Sequence, residues 1–549
     1  MMNTSSLLPA DNAPWPPREQ THRYRQMRVA DAWYAGSPER LTAVYNGFAA
    51  TQTTTTTPPT TLNPHGSRRV SNRTTRNWFW APQDGMTLDS RRHLNTPQDI
   101  ATVSAETLVG ERPEVRVTST AANRADGTPD PAQQAAQQRL DRILTDGAFW
   151  QTLQAALEVS AALGSTGLRI ALGGVADYPV VTRVDADATV PVYQWGQLVG
   201  VTFWNTIRSD KRTIWRLLEA YSGNRMEVGL YKGDGNSLGQ RVPFQSIPET
   251  QYLVDAQQAG ALDDAGTYLF GDDPTATVAV SLPNILPDPL DRRNQAGRSD
   301  YTPAVIQLFD SIDRTYSEMM EAIDDARSRL FISDSLLEDR GRGRGQSFDP
   351  AQRLFNTVTM PPSEQTSDRM PIQQVKFEMH IAEYFQAIDG LTDRVVHAAG
   401  YNAQTMGDEG GNDATATLTR ARTRRTMSTR DRKISYIQGP LTRLLTTLQH
   451  LDAETYSPVE WVDGQPVQVV PMDVTVAFPE TIQPTQIELA ETAKAMLDAQ
   501  ASTMETRVRT MHPDWDEPRV IAEVQAAQAE QQVVDPTTFG MAGQGLSLG

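Results

Sequence analysis

The sequence predicts a mixed α+β protein, and two changes of hydrophobic period carry that reading. Between about residues 165 and 254 apolar residues recur at every second position in short runs broken by Gly, Asp and Asn; from about 302 they recur every three to four residues over unusually long stretches. A third observation is size, since 549 residues suffice for several modules that each bury a core.

Taken in order, Val29, Trp33, Leu41, Val44, Tyr45 and Phe48 form amphipathic pieces within residues 1–50. Residues 51–76 hold TQTTTTTPPTTLNP and then Arg68, Arg69, Arg73 and Arg76, a linker or insertion. Ile100, Val103, Thr107 and Leu108 mark a helix that Pro97 can start at its first turn. Phe149, Trp150, Leu153, Leu157, Ser160 and Leu163 mark another, stopped by Gly164. LRIAL, YPVVTRV, TVPVYQW, LVGVTFWNTI, KRTIWRLLEAY, RMEVGLYKG and QRVPFQS then read as one antiparallel meander. Val305 to Leu330 keeps a single apolar face for a helix of about 30 residues, roughly 45 Å long. After Arg340 to Gly345, an Arg-Gly repeat, the chain is polar and broken to about 376. A second helix, with Phe377, Ile381, Tyr384, Phe385, Ile388, Leu391, Val395, Val396 and Ala399 on its apolar side, ends at Gly400. YNAQTMGDEGGND (401–413) is a loop, and a third helix runs from about Ala414 to His450. Its first half holds Arg420, Arg422, Arg424, Arg425, Arg430, Arg432 and Lys433 against Asp431, and its second half carries the apolar face. A strand over Asp473 to Phe478, helices over Gln486 to Gln500 and Glu517 to Gln531, and a Gly/Ser/Gln-rich tail after Val534 complete the chain.

Composition excludes several chemistries. The chain has no cysteine, hence no disulfide, no thiolate metal site and no cysteine nucleophile. Lys+Arg 50 against Asp+Glu 67 gives a net charge of −17, so contact with nucleic acid must be local or weak. No Gly-Lys pair exists for a phosphate-binding P-loop, and the seven His show no H-x-H or H-x-x-x-H spacing. Asp185 with Asp187, and Asp272 with Asp273, could each bind a cation, but Asp pairs at strand ends more often bond their own backbone. Gly235-Asn236-Ser237-Leu238-Gly239 fits the G-x-S-x-G nucleophile elbow, yet strand-like residues follow it, so a hairpin loop is the better reading. The start, MMNTSSLLPADNAPWPP, has neither a basic region nor an apolar run, and no stretch suits a membrane span; a soluble, cytoplasmic protein is expected.

Six stretches in order resemble the portal proteins of tailed bacteriophages, in particular those of siphophages infecting actinobacteria. They are ADAWYAGSPERLTAVY, RRHLNTPQDIATVSAETLVGERPEV, LEVSAALGSTGLRIAL with the strands after it, IQLFDSIDRTYSEMMEAIDDARSRLFI, IAEYFQAIDGLTDRVVHAAGYNAQTMG and DATATLTRARTRRTMSTRDRK. The Thr-rich stretch is longer than the family's, and Leu108-Val109-Gly110 replaces a more aromatic run.

The resemblance implies a portal fold. Its parts would be a wing (77–300), a first stem helix (301–332), a clip (333–376), a second stem helix (377–400), a tunnel loop (401–413), a long helix toward the crown (414–451), a return strand (452–483) and crown helices (484–533). It further implies a homo-oligomeric ring, usually of twelve subunits, at one capsid vertex, through which double-stranded DNA enters and leaves. Partners would be the terminase large subunit, the major capsid and scaffolding proteins, and the head-completion adaptor or tail connector. Neither a cofactor, a metal, a membrane nor an enzymatic activity is implied, and the place would be the virion, with assembly in the host cytoplasm. By position, Tyr401, Asn402, Gln404, Thr405 and Met406 would face DNA in the tunnel loop, with Asp408, Glu409 and Asp413 as its acidic residues. Arg340, Arg342 and Arg344 would dock terminase at the clip. Arg420, Arg422, Arg424, Arg425, Arg430 and Arg432 would lie on the channel wall or bridge subunits. Two other readings predict different behaviour: a metal-dependent hydrolase or nuclease using Asp185, Asp187 and Asp272, and another oligomeric virion component.

Overall fold

The computed structural model describes residues 6–53, 78–81, 90–118, 130–173, 176–210, 212–325, 329–332, 338–339, 346–347, 372–375, 380–403, 416–479, 486–499, 502–512, 515 and 517–533. The chain divides into two compact units, Met1–Phe478 and Pro479–Gly549.

The first unit opens with helices α1 (Thr21–Ala35), α2 (Pro38–Thr53) and α3 (Thr96–Val109). They bury Trp33, Leu41 and Ile100 with the Phe79-Trp80 segment. Strand β1 (Glu114–Thr118) and helix α4 (Pro131–Asp146) follow, two elements absent from the sequence reading. The signal for α4 was present, because Asp130 caps it through the Ala132 N–H and Pro131 occupies its first turn. Helix α5 (Phe149–Leu163) stops at Gly164, whose φ of 98° only glycine adopts freely.

The expected meander is two sheets. Strands β2 (Ser165–Ala171) and β3 (Val180–Asp185) pair with β10 (Ala279–Pro283), all antiparallel, in the order β10-β2-β3. The second sheet contains β4 (Thr189–Gln194), β5 (Gln197–Ser209), β6 (Ile214–Ser222), β7 (Arg225–Gly233) and β8 (Gln240–Val242), with β9 (Thr267–Leu269) also on β7. The break comes at Ala186–Ala188, a single 3-10 turn that lets the chain leave one sheet and start the next. Phe244–Ser246, read as strand, is also 3-10, since Pro243 cannot donate to a ladder. Helix α6 (Gln251–Gln258) covers Leu217, Val228 and Leu230 of this sheet. The Gly235–Gly239 stretch is the β7–β8 loop, where Asp234 Oδ1 accepts from the N–H groups of Asn236 and Ser237.

Helix α7 (Pro303–Asp325) is shorter than expected. The apolar spacing continues in the sequence through Leu330, but Arg329–Ile332 is strand β11, paired antiparallel with β14 (Ile372–Val375). The consecutive Leu330, Phe331 and Ile332 suit a strand better than a one-faced helix. Between them, β12 (Glu338–Asp339) pairs with β13 (Gln346–Ser347). Helix α8 (Ile381–Ala399) packs against α7, and helix α9 (Ala416–Tyr456) extends beyond its expected end. Its second half buries Ile437, Leu441, Leu444, Leu445 and Leu448 in the core, the helix packing against β10 and β17. A hairpin absent from the sequence reading, β15 (Val459–Val462) with β16 (Gln465–Gln468), precedes β17 (Asp473–Ala477). Strand β17 returns to pair with β1 across more than 350 residues of sequence, from Glu114↔Ala477 to Thr118↔Asp473.

The second unit contains α10 (Gln486–Asp498), α11 (Met504–Met511) and α12 (Glu517–Val533). The short α11, capped by Thr503 on the Thr506 N–H, adds to the two expected helices. No helix among the described residues is long and apolar enough to cross a membrane.

Candidate functional site at the root of the 401–413 loop

The loop expected to carry function begins where α8 stops. Gly400 takes a φ of 102°, its N–H reaches His397 O at 3.1 Å and the Tyr401 N–H reaches Val396 O at 3.0 Å. This paired pattern is the Schellman ending, in which the residue after the glycine turns back onto the helix. Tyr401 therefore points inward and is 1% exposed.

Its hydroxyl donates to Asp300 Oδ2 at 3.0 Å and receives the Lys433 ammonium at 2.8 Å. Lys433 uses its other two protons on Asp300 Oδ2 and Ser104 Oγ, both at 2.6 Å. Asp300 Oδ1 accepts from Asn284 Nδ2 at 2.8 Å. Every donor of the ammonium thus has an acceptor, which a fully buried charge requires. The node joins α3, the turn into α7, the end of α8 and the middle of α9. Thr429 Oγ1 donates to Gly400 O at 2.8 Å and Thr426 Oγ1 accepts from the Asn402 N–H at 3.0 Å, so α9 also grips the loop backbone. Burial pulls the Lys433 ammonium below its ordinary value while Asp300 pulls it back up. Burial, then the Asp300 charge, hold the Tyr401 hydroxyl well above its own, so it stays protonated and can donate.

A second node lies further along α7. Asp313 accepts from Leu94 N at 2.9 Å and Trp80 Nε1 at 3.0 Å, and meets His93 Nδ1 at 2.8 Å. Asp310 Oδ1 takes the Phe79 N–H at 2.8 Å, and Ser317 Oγ takes the Arg92 N–H at 2.9 Å. Spaced at i, i+3 and i+7, these three occupy one helix face and pin two separate segments.

These positions correct part of the expected site. Tyr401 and Asn402 do not present side chains to a polymer in this chain: both are buried, Tyr401 in the Lys433 node and Asn402 at 8% exposure. Gln404, Thr405, Met406, Asp408, Glu409 and Asp413 lie outside the described residues, as do Arg340, Arg342, Arg344, residues 54–77 and the tail after 533. The Arg-rich half of α9 divides. Arg430 is buried, with Nε donating to Thr107 O at 2.9 Å, so it serves the chain's own packing. Arg432 is exposed yet bonds Leu286 O, whereas Arg424 and Arg425 are exposed on the first half. The side chains of Arg420 and Arg422 lie outside the described set.

Of the two Asp pairs, one member of each has a local role: Asp185, which the hydrolase reading uses, lies 3.1 Å from Arg183 Nε, and Asp273, next to the Asp272 of that reading, accepts from the N–H and hydroxyl of Thr275. Among the described residues no group of three His, Asp or Glu is placed to hold a metal ion.

Sequence reasoning passed over Lys433, Asp300 and Ser104. Lys433 stands at the end of an arginine run, where it reads as one more surface charge; its one distinguishing mark is the apolar Ile434 and Ile437 that follow.

Comparison with known proteins gives one strong match. The family model for phage portal proteins of the SPP1 Gp6-like kind aligns with residues 18–536. No curated protein matches the chain. Among solved structures, the neck of a native GTA particle computed with C12 symmetry is 10% identical, with a TM-score of 0.38 over 76% of this chain and 89% of that one. The virion of a native gene transfer agent particle is 11% identical, with a TM-score of 0.36 over 91% and 96%. Overlaps this loose carry no argument of their own.

Proposed function

Since the chain belongs to the SPP1 Gp6-like phage portal protein family, we propose that it assembles into a ring, twelve subunits being the family's usual number, at one vertex of a capsid. The ring would pass double-stranded DNA during terminase-driven packaging and ejection, and would present the head-completion and tail proteins with a docking surface. The observation that carries this reading is the family match across residues 18–536. The order of elements supports it: helix α7, the β11–β14 insertion, helix α8, a loop and helix α9.

In this reading α7 and α8 are stem helices, the insertion between them is the clip, and the loop after Tyr401 faces the channel. Its Gln404, Thr405 and Met406 would meet DNA, with Asp408, Glu409 and Asp413 beside them. A net charge of −17 suits a conduit, which must not hold the phosphate polymer it passes. Arg340, Arg342 and Arg344 would contact terminase, and changing all three to Ser should weaken terminase binding. The capsid and scaffolding proteins would contact the ring from outside, and no catalytic role is proposed for the chain. Assembly would take place in the host cytoplasm and the product would be the virion.

Native mass spectrometry with negative-stain imaging of the purified full chain tests the assembly. An annular particle near twelve times the 60.7 kDa chain, with a central hole, is the expected result. A monomer or dimer that persists at high concentration would overturn it.

A further inference from the structure

The turn between β4 and β5 presents Trp195, 93% exposed, at the tip of a hairpin. Its φ is 49° and that of Gly196 is 82°. A two-residue turn with both residues left-handed normally takes Asn-Gly or Asp-Gly, because a bulky side chain pays in backbone energy there. The indole returns none of that energy to its own subunit, since it lies almost wholly in solvent. Val192 and Val199, 50% and 41% exposed, flank it. Strand β4 is the end strand of its sheet and carries Pro191, which has no N–H to offer a further strand. That edge thus lacks one N–H, and what the tip presents is the exposed side chains of Val192, Trp195 and Val199.

From Ala188 to Ile207 the chain has no Asp, Glu, Lys, Arg or His. Two copies that each carry −17 repel, and they approach at least cost through surface with no charge. That favours a second copy of this chain as the hairpin's partner.

The same chain offers a receiving surface. One edge of β1 pairs with β17, and along the other the amides of α4 take the place of a ladder. Gln137 Oε1 accepts from the Val117 N–H at 2.7 Å, Gln137 Nε2 donates to Val115 O at 2.9 Å, and Gln133 Nε2 donates to Val117 O at 2.8 Å. These bonds close the edge to another strand, yet a cleft of about 650 Å³ remains over it, lined about equally by apolar groups, Val115, Val117, Leu144 and Trp150 among them, and by polar ones, chiefly the glutamine amides of α4. The first two turns of α4, Pro131 to Gln138, are also uncharged. The charged groups at the cleft are already engaged, Arg116 with Glu114 and Asp141 with Gln137. A lining that mixes apolar side chains with amide carbonyl acceptors suits an indole, which buries a flat ring and donates one N–H.

We propose that the Trp195 hairpin of one copy seats in the β1–α4 cleft of the next copy around the ring. Knob and cleft are different surfaces, so the contact is head-to-tail, the kind that generates rings when its rotation closes. The proposal rests on the ring reading above and adds the side chains that close the subunit interface.

The absence of cysteine makes the test clean. Full-length Gln197→Cys, beside the turn and with Trp195 kept, and Gln134→Cys proteins, differently tagged and co-assembled, are treated with a short bis-maleimide. The expected product is a dimer carrying both tags, and the double variant Gln197→Cys/Gln134→Cys gives a ladder of higher multimers. Dimers of Gln197→Cys with itself would mean an isologous contact and overturn the proposal. A wild type that forms rings while the two variants give no mixed dimer would overturn the proposal and leave the portal reading standing. A wild type that stays monomeric would overturn both. As a second measure, Trp195→Gly should leave the unfolding midpoint of the dissociated subunit unchanged or raised, because glycine relieves the turn. The same variant should raise the concentration at which rings dissociate by at least tenfold. Trp461→Ser, at the other exposed tryptophan, should not. Rings of Trp195→Gly as tight as wild type, or loosening by Trp461→Ser alone, would contradict the assignment.

Discussion

Asp300, just before α7, and Asp313, in its middle, are both buried, yet they are built differently. Asp300 faces a lysine whose three protons all find acceptors, and each of its own oxygens is bonded. Asp313 faces His93, two neutral N–H donors and no permanent cation, and the buried Nε2 of His93 has no hydrogen-bond partner among the described residues. The first node ties four distant stretches at the loop root through a charge pair; the second pins the 78–94 segments to a helix face. The difference teaches where the chain invests rigidity. A fully buried charge pair sits at Tyr401, where the loop proposed to face DNA begins.

The most severe way to break this contrast is Lys433→Met, which leaves the Asp300 carboxylate buried without its cation. It should cost about 3–5 kcal/mol, read from the urea midpoint, and adding Asp300→Asn should recover most of that loss. If Lys433→Met were nearly neutral, the node would not be what holds the loop root together.

Asp313→Ala should cost less, about 2–3 kcal/mol, because it strands the Leu94 and Trp80 N–H groups but no full charge. The pH dependence sharpens the contrast. Burial raises the Asp313 carboxyl above its ordinary 3.8, against the opposing pull of His93. Between those two values the folded chain binds more protons than the unfolded one. Its contribution is thus full below 3.8 and is lost as pH rises through the raised value. The stability of wild type relative to Asp313→Asn should accordingly fall as pH climbs through that window; a rise would contradict burial as the cause.

Gly400→Ala should cost about 1–2 kcal/mol, since it forces an L-residue into φ 102° and puts a Cβ 2.9 Å from Thr429 Oγ1. The smallest effect belongs to Arg424→Gln/Arg425→Gln, which should move the unfolding midpoint by no more than about 0.5 kcal/mol. Arg430→Gln, losing its bond to Thr107 O, should cost about 1–3 kcal/mol. Equal effects would erase the division drawn through the arginine run.

Much of this architecture was legible because period and punctuation are local properties. Gly164 and Gly400 end helices where the spacing stopped, and the second half of α9 buries the leucines that its period picked out. Tyr401 was legible in principle as well: an apolar residue just after a C-terminal glycine folds back onto the helix in a Schellman ending, so YNAQT is packing first and loop afterwards. The split into two sheets hung on one 3-10 turn at Ala186–Ala188, too short to leave a periodic trace. The nodes themselves were not legible. Asp300 meets Lys433 and Asp313 meets His93 across 133 and 220 residues of sequence, and a single buried ion carries no pattern that distinguishes it from a solvated one.

The measurement closest to the central claim is photo-crosslinking in DNA-filled particles, with a benzophenone side chain placed at Met406 or at Thr429. If the chain beyond residue 403 meets DNA while the root beneath it is protein interior, light should join Met406 to DNA and Thr429 only to protein. DNA adducts from Thr429, or none from Met406 in particles that have packaged normally, would contradict the account.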